Sequence, residues 1–243
     1  MAHVPRLYHP GPLGPGPLSV AGDAAKRLTV VMRITDDDPL LLFGGDGKEW
    51  HATAGARSRD SIQLTVGELA RQAAPPPVIL EIWVGVIRAT RFEEALEKIV
   101  EAGSDIIRPV VCEFSQRGEA STTRLERWRR IAIEASEQCG RLFIPEVLAP
   151  VAFARALDAF RGAIVAAEAT GESAAALTPL MPQAGHLALI VGPEGGLSPA
   201  EHQTLARRGA LQLALGPYTL RTETAAIVGT ATLRALTLTQ QSG

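Results

Sequence analysis

Two apolar runs in the last quarter of the chain, residues 187–191 and 211–215, each stop at a Gly-Pro pair and pass through a loop into a helix start. Runs this short suit buried strands. Gly192-Pro193 and Gly216-Pro217 end a strand and open a turn. Beyond the first pair, Ser198, Pro199 and Glu201 spell a capping box with proline at the first helical position. Beyond the second, Thr222 suits an N-cap. Two strand–loop–helix units side by side leave backbone N–H groups exposed at the carboxyl ends of neighbouring strands. Open α/β sheets bind ligands at that edge, so these loops are the expected seat of the chemistry.

The chain has room for one large or two modest domains at 243 residues, and 46% hydrophobic against 21% charged residues describe a globular protein. Ala73-Ala-Pro-Pro-Pro77 reads as a semi-rigid linker. Before it, residues 1–74 are β-rich, with strand-like runs at 28–34, 39–43 and 61–66 and turns at 44–47 and 57–60. A small barrel or sandwich is expected there. After it, residues 75–243 alternate strands with helices. The spacing predicts a strand at 78–86, a helix through Phe92, Leu96 and Val100 ending at Gly103, and a strand at 106–111. A helix capped by Thr123 and Glu126 then buries Leu125, Trp128, Ala132, Ala135 and Cys139 and stops at Gly140. A short helix over 150–160 and a strand at 163–167 complete an α/β domain with a mainly parallel sheet.

No apolar run approaches a membrane span, and the N-terminus lacks a signal-peptide pattern, so a cytoplasmic location without a membrane partner is expected. Cys112 and Cys139 show no zinc spacing and the five histidines suggest no metal site. The net charge of −2 argues weakly against a nucleic-acid partner, yet residues 121–141 carry Arg124, Arg127, Arg129, Arg130 and Arg141, a locally basic helix. The dinucleotide fingerprint, the P-loop, the zincin motif and the nucleophile elbow are all absent. What remains is the pair of glycine loops, with Leu220-Arg-Thr-Glu-Thr-Ala225 supplying a cation, hydroxyls and a carboxylate ahead of an alanine-rich helix.

These residues carry a resemblance. Pro5-Arg-Leu-Tyr-His9, Glu137-Gln-Cys-Gly-Arg141, Leu189-Ile-Val-Gly-Pro-Glu-Gly-Gly-Leu-Ser198, Leu215-Gly-Pro217 and Leu220-Arg-Thr-Glu-Thr-Ala225 resemble the RsmE family of ribosomal RNA methyltransferases in the SPOUT superfamily. The resemblance implies a PUA-like RNA-binding barrel over 1–74 and a methyltransferase domain with a deep trefoil knot over 75–243. It further implies S-adenosylmethionine (SAM) as cofactor, a homodimer, and methylation of uridine N3 in 16S rRNA of the small ribosomal subunit. The implied cofactor contacts are Leu189, Val191, Gly192, Pro193, Gly195, Gly196, Leu215, Gly216, Leu220, Thr222 and Thr224.

For that reaction Arg221 is the candidate for stabilising the N3 anion, and Glu194 or Glu223 for taking the proton. Arg6, Arg124, Arg127, Arg130 and Arg141 are candidate phosphate contacts. A basic residue is common in the family where Tyr218 stands. Two other readings stay open: a SPOUT enzyme acting on another RNA or a ribose 2′-hydroxyl, and a non-catalytic RNA-binding assembly factor.

Overall fold

The computed structural model describes residues 4–116, 122–181 and 185–239. It divides into two compact units, Met1–Pro75 with Ser136–Ile144, and Pro76–Ala135 with Pro145–Gly243.

The first unit is built on β1 (Arg6–Tyr8), β2 (Gly16–Ala21), α1 (Gly22–Lys26), β3 (Pro39–Phe43), β4 (Lys48–Arg57) and β5 (Ser61–Gln72). The sheet runs β1-β3-β4-β5-β2, with β1 parallel to β3 and the other pairs antiparallel. Its path ends at β1 and β2, so among the described residues the strands form an open sheet rather than a closed barrel. The period of two is plain in β5, where Ile62, Leu64 and Val66 are buried between exposed Gln63 and Thr65. These side chains join Leu28, Leu40 and Leu42 in one apolar core.

The strand expected at 28–34 is helical instead. α1 continues into a π-helical turn, Arg27–Val31, in which Leu28 is buried while Val30 and Val31 stand 70% and 73% exposed. The β-branched residues promise a strand, but a single inward-facing leucine is what the core accepts, and packing overrides propensity.

A buried polar network closes this unit. Glu49 accepts from Arg6 Nε at 2.6 Å and from Arg71 Nε at 2.6 Å. Arg6 also donates to the carbonyls of Ser136, Glu137 and Arg141 at 2.9, 2.7 and 3.0 Å. Burial alone would raise the Glu49 carboxyl; the hydrogen bonds from Arg71 and Arg6 outweigh it and hold the group below its ordinary range.

The second unit contains β6 (Val78–Gly85), α2 (Ala89–Glu101), β7 (Ile106–Val111), α3 (Thr122–Cys139, whose last turn is counted with the first unit), β8 (Glu146–Val147) and β9 (Val151–Ala152). After these come α4 (Phe153–Ala159), β10 (Ala163–Glu172), α5 (Ala174–Leu177), β11 (Gly185–Val191), α6 (Pro199–Arg207), β12 (Leu211–Leu213) and α7 (Thr222–Thr239). The sheet order is β12-β10-β11-β6-β7-β8, with β9 also on β7, and every pair is parallel. Central strands of such a sheet are covered on both faces. In β6, Leu80, Ile82 and Val84 enter one core with Phe92, Trp128, Ala226 and Leu233. Trp83 turns to the other face, against Phe153, Leu157 and Phe160. Arg234 fastens α7 to the sheet, donating from Nε to the Gly103 carbonyl at 2.9 Å and from Nη1 to the Val78 carbonyl at 3.2 Å.

Two local expectations change here. Thr123 lies inside α3, which is already formed at Thr122, so it does not cap it. The segment 150–160 opens with β9 before turning into α4. The glycine stops hold: Gly103 and Gly140 have φ of 105° and 82°.

Candidate functional site

The carboxyl ends of β10, β11 and β12 frame one cavity of about 540 Å³, within the size range of small-molecule sites. Its walls are the second half of β10 (Ala167, Glu168, Ala169), the loop after β11, the loop before α7, His202 of α6 and the first turn of α7.

The first loop begins where β11 leaves the sheet at Val191. Gly196 N donates to the Pro193 carbonyl at 2.8 Å, closing a tight turn, and Gly196 itself sits at φ 74°, a conformation that favours glycine. Gly85 at the end of β6 leaves room for this turn: a Cβ there would lie 2.4 Å from Pro193 N. The expected capping box is present. Ser198 Oγ accepts from Glu201 N at 3.3 Å and Glu201 Oε2 accepts from Ser198 N at 2.8 Å, so α6 starts on a fixed frame.

The second loop is tied to the first by Thr222. Its hydroxyl donates to the Gly192 carbonyl at 3.0 Å, and the residue is 5% exposed. This corrects the expected N-cap role: Thr222 is the first residue of α7, and Arg221 precedes the helix with its carbonyl accepting from Ala225 N at 2.8 Å. Thr222 is therefore a clasp between loops.

Of the residues expected around the cofactor, Val191, Gly192, Pro193, Gly195, Gly196, Leu215, Gly216, Leu220 and Thr222 line the cavity. Leu189 is fully buried in the core beneath it, and Thr224 is exposed outside it. Arg221 and Glu194 line the cavity; Glu223 does not. Glu194 pairs with Arg91 Nη1 at 3.5 Å and accepts from Gln116 Nε2 at 3.3 Å. Glu223 has its Oε2 buried without a hydrogen bond.

Sequence reasoning missed Glu168 and His202, which also line the cavity. His202 Nδ1 lies 3.5 Å from Glu168 Oε1. Burial raises the Glu168 carboxyl above its ordinary value, with His202 opposing the shift. The two residues stand 34 positions apart on different elements, and no motif links them. The proline at the first helical position and the capping box, which fix the start of α6, were the only signal that His202 would face this edge.

The candidate phosphate contacts separate. Arg6 is 10% exposed and committed to Glu49 and three carbonyls, which removes it from the surface cations of the first unit. Arg141 is half-buried there, donating from Nε to the Phe143 carbonyl at 3.3 Å. On α3, Arg124 is half-buried and Arg130 exposed, while Arg127 is 66% exposed and pairs with Glu93 at 2.8 Å.

A family model described as an RNA methyltransferase domain matches residues 74–234. Ribosomal RNA small subunit methyltransferase E of Mycobacterium bovis is 30% identical over 228 residues, covering 90% of this chain and 86% of that protein. Among solved structures, a Legionella pneumophila protein described as a putative methyltransferase, in complex with SAM, superposes with a TM-score of 0.87 at 29% identity, over 96% of this chain and 98% of that one. Ribosomal RNA small subunit methyltransferase E from Neisseria gonorrhoeae, bound to SAM, gives 0.83 at 28% identity, with the same coverage.

Proposed function

Because this chain belongs to the ribosomal RNA small subunit methyltransferase E family of RNA methyltransferases, we propose that it transfers a methyl group from SAM to N3 of a uridine in 16S rRNA of the small ribosomal subunit. The observation that carries this reading is the cavity itself, walled by both glycine loops and holding Arg221. A nucleoside with a short zwitterionic tail fits such walls. Glycines 192, 195, 196 and 216 let a flat base approach the backbone, and the carboxylates of Glu168 and Glu194 favour a cationic ligand.

When bound, SAM supplies a methyl group on a positively charged sulfur. The chain's own part is alignment and charge. The clasp from Thr222 to Gly192 holds both loops in one arrangement, which turns two reactants into one oriented pair. Arg221, exposed at the cavity, offers a cation to the uracil ring once N3 has lost its proton. Arg124, Arg127 and Arg130 on α3 supply cations for the RNA backbone.

The reading extends to a PUA-like role in RNA binding for the first unit, a knotted chain path around the cofactor loops and a homodimer. The likeness to SAM-bound proteins over nearly the whole chain supports it. The test is methyl transfer from labelled SAM to small ribosomal subunits from a strain lacking the cognate activity, with mass mapping of the product. One methyl on a uridine base is the expected result. Label on a ribose, or calorimetry without SAM binding, would sink the proposal.

A further inference from the structure

Methylation at N3 needs a base, and the established parts of the site do not provide one. The ionisable side chains lining the cavity are Glu168, Glu194, His202, Tyr218 and Arg221. Arg221 stays charged, and a phenol is ordinarily protonated at neutral pH. Glu194 already has partners in Arg91 Nη1 at 3.5 Å and Gln116 Nε2 at 3.3 Å, both outside the cavity lining. Glu223 lies outside the lining.

His202 differs from all of these. It stands at the cavity on α6, which the Ser198–Glu201 capping box fixes, and Glu168 in the second half of β10 faces its Nδ1 at 3.5 Å. A carboxylate on one ring nitrogen selects the tautomer protonated there and leaves the other nitrogen with its lone pair.

We propose that His202 is the base that removes the N3 proton of the acceptor uridine, and that Glu168 is the positioning residue that orients it. The proposal rests on the methyltransferase reading above. The uridine N3–H proton passes to His202 Nε2, and the N3 electron pair forms the bond to the methyl carbon. The carbon–sulfur bond breaks with its pair staying on sulfur, so the cationic donor becomes a neutral thioether and the imidazolium returns its proton to water. Arg221, on the loop before α7, stabilises the uracil anion between the two events.

The neighbouring groups leave this assignment intact. On the α6 side, Glu201 is occupied by the backbone amides of Ser198 and Glu113. Cys112 stays a neutral thiol, because burial, aided by Glu201, pushes it up to about 12. Tyr218 and Glu194 approach from the two loops and Glu168 from β10.

The experiment combines a readout without turnover and one with it. Nitrogen-15 NMR of the uniformly labelled full chain at pH 8 should show His202 protonated at Nδ1 and bare at Nε2, a preference lost in Glu168→Gln. An Nε2–H tautomer in the wild type would refute the proposal, since that nitrogen would have no lone pair to offer. In single-turnover methyl transfer, His202→Gln should lose at least about 100-fold in rate and the acid limb of the pH–rate profile. Glu168→Gln should lose about tenfold and keep that limb. Circular dichroism and thermal unfolding report whether each variant is folded, and calorimetry with SAM reports its cofactor affinity separately. Wild-type rates for a SAM-binding His202→Gln would overturn this proposal alone. A wild-type protein that binds SAM and leaves the rRNA base unmethylated would overturn the function and this proposal together.

Discussion

Replacing Thr222 with valine keeps the shape of the side chain and deletes the hydroxyl that donates to the Gly192 carbonyl at 3.0 Å. Thr222 is 5% exposed, so little water can enter to replace the lost donor. A hydrogen bond of this kind contributes about 1 kcal/mol net, and leaving the acceptor unpaired costs about 1–3 kcal/mol. The loops flanking the cofactor would separate, and SAM binding would have to restore their arrangement. About 1.4 kcal/mol of that cost appearing in binding is a tenfold rise in Kd. Titration calorimetry with SAM should therefore show a loss of about tenfold for Thr222→Val, accompanied by a small fall in unfolding free energy. Thr222→Ser, which keeps the hydroxyl, should bind close to the wild type. A valine variant binding within twofold of the wild type would refute the idea that this bond sets the spacing of the loops.

Three further outcomes are expected. Arg221→Ala should lower kcat by about 10²–10³ while SAM binding, read by calorimetry, changes far less. Glu49→Gln should destabilise the protein by about 3 kcal/mol at pH 7, because Arg6 and Arg71 lose their buried counter-charge. The wild-type Glu49 carboxyl is held below its ordinary range, so its contribution is present above about pH 4.3 and is lost as pH falls through the lowered folded value. Urea unfolding should show the gap between the two proteins narrowing as pH falls below about 4.3, and a constant gap would contradict this. Arg130→Ala should weaken rRNA binding and reduce the slope of log K against log salt by about 0.7–0.9; an unchanged slope in filter binding would remove Arg130 from the phosphate contacts.

Features that depend on local chemistry were legible in the sequence. The capping box at Ser198 and Glu201 forms as its spacing dictates, and Gly103 and Gly140 end their helices with positive φ. The short apolar run 163–167 announced β10, though the strand runs on to Glu172, where its carbonyl accepts from Ala214 N at 2.8 Å. That extension is set by a neighbour 42 residues away, and a local pattern does not contain it.

The same reason explains the misreadings in the first unit. Arg6 looked like a surface cation because Glu49 and the carbonyls at 136–141 are remote in the chain. β4 escaped notice because its buried positions are the charged Glu49 and the small Ala52 and Ala54, which give little apolar alternation. At the candidate site, glycine and proline punctuation located both loops. The Glu168–His202 pair is assembled by the order of three parallel strands, which residue types alone do not specify.

Four glycines stand among the residues that face the cavity, so part of its wall is bare main chain. Bare main chain is indifferent to many exchanges of the side chains beside it, and Tyr218, 79% exposed in the second loop, is one of those side chains. The same wall is intolerant of changes in spacing. Adding or removing one residue between Gly192 and Ser198, or between Leu213 and Thr222, would shift the peptide groups out of phase with Gly85 and with each other. The number of residues in each loop is therefore as much a part of the site as the glycines that mark it.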